Sequence, residues 1–165
     1  MGVIEMKEKI IGTLFSVLII SALFLAGGAK AVNSSISDIQ DTNKGQTINF
    51  DVNFTGQVTS GTLTIENLGA KLDIIKCEIA GDGSYECTRS QGSLNNPKPY
   101  DGILINLVND FGYGYNPGST LYGIEWNTPT SLQPGSYKAT FTGIVNGNPV
   151  TESDTFNIIT PAKPK

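Results

Sequence analysis

Phe111, Tyr113 and Tyr115 alternate with Gly112 and Gly114, so an extended backbone sets all three rings on one side. Flat aromatics on a glycine-rich loop can stack on sugar rings or on a partner protein. Asn109, Asp110 and Asn116 flank them and could orient a ligand through hydrogen bonds. The competing reading folds one or two rings down to cap the core. Trp126 shares its strand phase with Tyr122 and Ile124, which assigns it to the interior. Carboxylates at Asp101, Asp110 and Glu125 are the residue types of a glycosidase acid pair, but nothing in their spacing brings two together. Asp82-Gly83-Ser84, or a loop near Asp101 and Asp110, offers oxygen ligands too thinly for a calcium loop. An Asp-Gly turn accounts for the first of these. No cofactor and no metal are expected.

The chain holds no histidine, which removes the commonest general base and metal ligand. Ser-His-Asp and Cys-His sites are thereby excluded, and the chain is expected not to be an enzyme. Its net charge is −4 with eleven Lys and Arg, so nucleic acid is not an expected partner. Cys77 and Cys87 stand equidistant from Asp82, the centre of a Gly81-Asp82-Gly83 turn. A hairpin centred there sets them directly opposite, close enough to bridge. The expected outcome is a disulfide stapling one local hairpin, with two free thiols as the alternative. Asn33-Ser34-Ser35 and Asn53-Phe54-Thr55 are glycosylation sequons, and strand phase turns Asn53 outward.

What must position these groups is a set of short strands. Thr47–Phe54 alternates, with Ile48, Phe50, Val52 and Phe54 inward, and Leu63 and Ile65 repeat the pattern. Leu72–Ala80 shifts phase at Ile74-Ile75, which predicts a bulge or a buried crossing. Ile103–Val108 is an apolar run that suits a central strand buried on both faces. Tyr137, Ala139, Phe141, Gly143 and Val145 share a face, and Asn146-Gly147 supplies a tight hairpin turn. Pro149 requires a strand start or an edge. In the returning strand Val150, Phe156 and Ile158 face inward, yet the same register turns Glu152 and Asp154 inward too. Those acids lie beyond the edge of the core, or a bulge rotates them out.

Lys7 and Lys9 precede an apolar run from Ile10 to Ala26 and a small-residue site, Ala29-Lys30-Ala31. Residues 1–31 therefore read as a cleaved secretory signal or, if uncleaved, a hydrophobic helix anchoring through residues 10–29. Both readings place the rest of the chain outside, secreted or at the cell surface. Residues 32–44 form a polar lead-in, 45–160 the domain and 161–165 a tail without an anchor signal. The fold class expected is all-β: an antiparallel two-sheet sandwich of about eight or nine strands.

Leu132-Gln-Pro-Gly-Ser-Tyr137-Lys-Ala-Thr-Phe141 resembles the penultimate strand of immunoglobulin-like and fibronectin-III-like domains, with Asp154–Ile158 as their last strand. The resemblance implies that the Tyr137 hydroxyl ties back to the upstream backbone. A second resemblance, to cohesins and carbohydrate-binding jelly rolls, rests on Gly45–Val52, Leu72–Ile75 and Asn109–Gly112. The export segment, the sandwich fold and the absence of histidine together lead to the expectation of an exported, non-catalytic module for adhesion, envelope assembly or partner binding. The alternative is a carbohydrate-binding or cohesin-like module using Phe111–Tyr115, with a glycoside-active enzyme as the outsider, and the partner expected is a surface protein or a glycan.

Overall fold

A computed structural model describes residues 32–69, 73–92, 96–109 and 119–161, without the side chains of Val108, Asn109 and Ser119. Within them the chain forms eleven strands and no helix. The strands are β1 (Ser34–Ile36), β2 (Thr42–Asn43), β3 (Thr47–Thr55), β4 (Val58–Asn67), β5 (Asp73–Ala80) and β6 (Tyr85–Gln91). They continue as β7 (Lys98–Pro99), β8 (Ile103–Asn109), β9 (Ser119–Asn127), β10 (Gly135–Val145) and β11 (Asn148–Ile159). Two sheets result, ordered β1-β3-β9-β8 and β2-β11-β10-β4-β5-β6-β7. Every pairing is antiparallel except β2 with β11. The expected segment 1–31 lies outside the described residues, and no described helix is long and apolar enough to cross a membrane.

Alternation builds the core. Ile48, Phe50, Val52 and Phe54 of β3 are buried against Tyr137, Ala139 and Phe141 of β10, with Trp126 and Tyr122 supplied by β9. The opposite phase of the seven-stranded sheet carries hydroxyl rows, with Thr151, Thr142 and Thr62 in register and Ser153, Thr140 and Thr64 beside them. Asn146 and Gly147 both take positive φ, 51° and 80°, the geometry of a two-residue hairpin turn. The turn fixes the β10–β11 register from Val145↔Asn148 down to Gly135↔Ile158.

That register runs unbroken past Glu152 and Asp154, so no bulge rotates them out. They lie at the open side of the sandwich, where residues 34–41 pass from one sheet to the other. Ser34 donates its hydroxyl to Glu152, and the Ile39 amide donates to Asp154 Oδ2 at 2.7 Å. Further along, the Asn157 amide donates to Asp41 Oδ1 at 2.7 Å. Pro149 costs no ladder bond, because β2 accompanies β11 only at Ile158 and Ile159.

Two expectations are corrected. Ile103–Val108 is not a central strand: β8 ends the four-stranded sheet, with Ile103 and Ile105 buried and Leu104 46% exposed. Asn106, outward and exposed, is the residue that marks a one-sided strand. Nor does β5 carry a bulge or crossing at Ile74-Ile75. Its pairing with β4 and β6 is continuous, and Ile75, Cys77 and Ile79 alternate inward. The phase looks broken because Asp73 also faces inward, held by Arg89 Nε at 2.8 Å and Nη2 at 2.6 Å.

The cysteines are directly paired across β5 and β6 and form a disulfide within one sheet, closing a separation of 10 residues. Replacing both with alanine should lower stability by about 2–3 kcal/mol, the closure entropy of so short a loop. Denaturant midpoints measured without reductant test this, and coincident curves would reject it. Phe141 lies flat over two glycines: a Cβ on Gly61 would overlap its ring, and one on Gly143 would come within 2.8 Å of it. Gly61→Ala should therefore cost about 1–3 kcal/mol by overpacking, with part recovered when Phe141→Leu is added. Failure of the second change to restore any stability would show that the ring is not the obstacle.

Candidate functional site

β8 ends at Asn109 and β9 starts at Ser119, so the expected aromatic site is bracketed by two paired strands. Asn109 pairs with Thr120, and Ser119 pairs with Thr55 at the end of β3. The same end of the sandwich carries the turns Gly56-Gln57, Gly81–Ser84 and Asn146-Gly147. Asp110, Phe111, Tyr113, Tyr115 and Asn116 themselves lie outside the described residues, as does the Asn109 side chain.

The described rim is tightly tied. The Gln57 amide donates to Asn146 Oδ1 and the Asn146 amide to Gln57 O, both at 3.1 Å. Thr120 Oγ1 donates to Gly56 O at 2.7 Å, which fastens the turn to β9. Gly56 has φ +138°, and a Cβ there would overlap the Asn146 side chain, so only glycine fits. The β5–β6 turn leans over β8, where a Cβ on Gly83 would stand 2.8 Å from Leu107 Cδ2. Asp82 organises that turn by accepting from Ser84 N at 2.9 Å and Ser84 Oγ at 2.6 Å. Those bonds hold its carboxyl below the ordinary range. Asp82 thus serves an Asx turn.

The imagined acids do not converge among the described residues. Asp101 is exposed in the crossing from β7 to β8, beside an open groove of 510 Å³ lined by Glu86, Thr88 and Tyr100. Glu125 sits on the outward face of β9 between Asn49 and Leu104. No group of three His, Cys, Asp or Glu is placed to hold a metal among the described residues. Of the sequons, Asn33 is exposed, whereas Asn53 is half-buried between Ser35 and Leu121 with its Oδ1 shielded and unpartnered.

Sequence reasoning missed a polar interior. Arg89 lies over the Tyr100 ring at 5.5 Å, and Trp126 Nε1 donates to the Tyr100 hydroxyl at 3.0 Å. The inward acid at position 73 and the arginine two residues after Cys87 were its only signals.

No family model matches the chain, and no characterised protein matches it in sequence. Solved structures do resemble it. A family 123 glycoside hydrolase from Clostridium perfringens is 13% identical over 81% of this chain and 28% of its own, with TM-score 0.42. Neutral ceramidase from Pseudomonas aeruginosa is 11% identical over 81% of this chain and 20% of its own, with TM-score 0.46. A chain from the AAF fimbriae of enteroaggregative Escherichia coli is 8% identical over 78% of this chain and all of its own, with TM-score 0.42. This chain spans less than a third of either enzyme. At these scores none of the likenesses carries a functional argument.

Tyr122 is the one described tyrosine whose buried hydroxyl has no partner, and burial pushes its pKa up to about 12. Its folded value exceeds the unfolded 10.0, so its contribution to stability is intact below about pH 10 and is lost as pH rises through about 12. Tyr122→Phe should shrink that alkaline loss and leave neutral-pH stability unchanged or higher by about 1 kcal/mol. Denaturation followed across alkaline pH tests this, and identical alkaline limbs for the two proteins would overturn it.

Proposed function

We propose that the chain is an exported, non-catalytic immunoglobulin-like β-sandwich that acts at a cell surface in adhesion, envelope assembly or partner binding. The observation that carries this reading is the strand order. The sheet β1-β3-β9-β8 corresponds to the ABED sheet of variable-type immunoglobulin domains, and β11-β10-β4-β5-β6 to their GFCC′C″ sheet. β2, parallel to β11 at the outer edge, extends the second sheet. Tyr137 supports it from within, donating its hydroxyl to Gln133 O at 2.8 Å as the corner tyrosine of such domains does. The disulfide fits an oxidising compartment and hence export. A sequence without histidine, which excludes Ser-His-Asp and Cys-His sites, supports a role without catalysis.

The alternative is a carbohydrate-binding module. It is favoured by the three aromatic residues between Asn109 and Asn116, in the segment that joins β8 to β9. A glycan array run on the wild type and on Phe111→Ala/Tyr113→Ala/Tyr115→Ala separates the two readings. Binding lost in the triple variant makes the module a lectin-like one, and absence of loop-dependent binding leaves the surface-protein reading. Labelling intact producing cells with an impermeant biotin reagent tests export, which both readings need. Protein protected from the reagent until the cells are lysed would sink both.

A further inference from the structure

The end of the sandwich opposite the three turns holds a cleft of 720 Å³ where β4, β6 and the β9–β10 corner meet. We infer that this cleft is a binding site for a neutral, hydroxyl-rich ligand such as the terminal sugar of a glycan. The inference goes beyond the surface-module reading, and it is independent of the aromatic residues at the other end.

The floor of the cleft is polar yet almost sealed: Asn67 is 4% and Asp73 5% exposed, and both line it. Both are fixed. Asn67 accepts from the Gly69 amide at 2.9 Å and shares a side-chain hydrogen bond with Tyr137. Asp73 receives two charge-assisted bonds from Arg89, one on each oxygen. A carboxylate offers about four lone-pair sites, so each Asp73 oxygen retains acceptor capacity beyond its bond from Arg89. Gln91, Gln133 and Ser136 at the walls add amide donors and acceptors and a hydroxyl.

This chemistry selects by elimination. An anion meets the Asp73 carboxylate, because Arg89 lies behind it and the described lining residues include no Lys or Arg. A metal ion meets a single carboxylate already engaged by a guanidinium, and carboxamides alone beside it. An apolar ligand meets, among the described lining residues, Pro134 as the one apolar side chain beyond glycine. A neutral polyol instead donates to Asp73 and exchanges bonds with the amides, in a cleft of the size usual for small-ligand sites.

The test uses the full-length chain, with the methyl glycosides of glucose, galactose, mannose and N-acetylglucosamine as probes at millimolar concentration. Saturation-transfer NMR should detect at least one of them. Ser136→Trp, which fills the cleft from an exposed position, should weaken that binding by about tenfold or more, equivalent to about 1.4 kcal/mol. The triple alanine variant at 111, 113 and 115 should bind as the wild type does. Gln133→Ala provides a smaller loss in the same direction should the tryptophan variant not fold. No transfer from any of the four glycosides overturns the proposal. So does transfer that survives both cleft substitutions and disappears in the triple variant, a result that would instead support binding at the aromatic end.

Discussion

Six aromatic rings meet between the sheets, and the placement of the strands follows from how they meet. Phe54, Tyr122 and Trp126 come from the four-stranded sheet, and Tyr137, Phe141 and Phe156 from the seven-stranded one. Towards the turn end Tyr122 stacks on Phe141 at 5.4 Å, with Phe54 at 4.9 Å from the same ring. Towards the other end Trp126 stands edge-on to Phe156 at 6.3 Å and tilted against Tyr137 at 6.2 Å. Full burial of such a side chain contributes about 1.5–3 kcal/mol, and each well-placed pair adds about 0.5–1.5 kcal/mol. The layer between the sheets is limited in depth, so large rings on one strand demand vacancies on its neighbours. Gly61 and Gly143 are those vacancies for Phe141. A one-residue slip of β4 against β10 would face Phe141 with a threonine or serine, which makes the register a consequence of packing as much as of the hairpin turn.

The margins of the sandwich are governed by charge. β11 has an unpaired stretch beside β10, and an exposed edge of that kind invites pairing with other chains. Glu152 and Asp154 on its inward phase oppose such pairing, and Pro149 removes one donor from it. The acids remain tolerable because residues 34–41 bring a hydroxyl and a backbone amide to them as the chain changes sheets. On the other margin, residues 100–102 carry the chain back to the four-stranded sheet, and the Tyr100 amide donates to Cys87 O at 2.9 Å. Behind that crossing Asp73 and Arg89 form the buried ion pair, with side chains 6% and 11% exposed. Such a pair stabilises little over an apolar replacement, but removing one partner strands the other's charge at a cost of about 3–5 kcal/mol.

How much of this was legible follows from the range over which each signal acts. Local signals were read correctly: the alternation of β3, the Asn146-Gly147 turn and the opposition of Cys77 and Cys87; the tie from the Tyr137 hydroxyl to the backbone came from the resemblance to immunoglobulin-like domains. Each depends on residues within about one hairpin of one another. The assignment of strands to sheets depends on pairings between distant segments, such as β3 with β9 and β4 with β10, and hydrophobic periodicity is blind to these. β8 shows the limit. Ile, Leu, Ile, Leu and Val around a single Asn106 suit a buried strand by composition, and only the neighbours decide that Leu104 faces out. Asp73 shows it from the other side: an inward carboxylate disguises a regular strand until its arginine partner is seen. As for the candidate site, the sequence marks Phe111, Tyr113 and Tyr115 by type and spacing, but spacing alone does not set the direction of rings on a loop.

The two ends of the sandwich consequently differ in kind. At the turn end, Asn146 binds one turn to another through backbone and side chain, and Thr120 fastens the pair to β9, so the described rim is closed by its own hydrogen bonds. Little there is left to exchange for bonds to a ligand, and binding at that end must draw on what β8 and β9 carry between them. At the opposite end Asp73 and Asn67 are held in place by bonds of their own. Arg89 neutralises Asp73 and takes one bond on each of its oxygens, while Tyr137 ties both the corner backbone and Asn67. A preorganised acceptor on an electrically balanced floor loses little on desolvation and needs no reordering when a hydroxyl arrives. The physical asymmetry therefore favours fixed, polar recognition at the corner end.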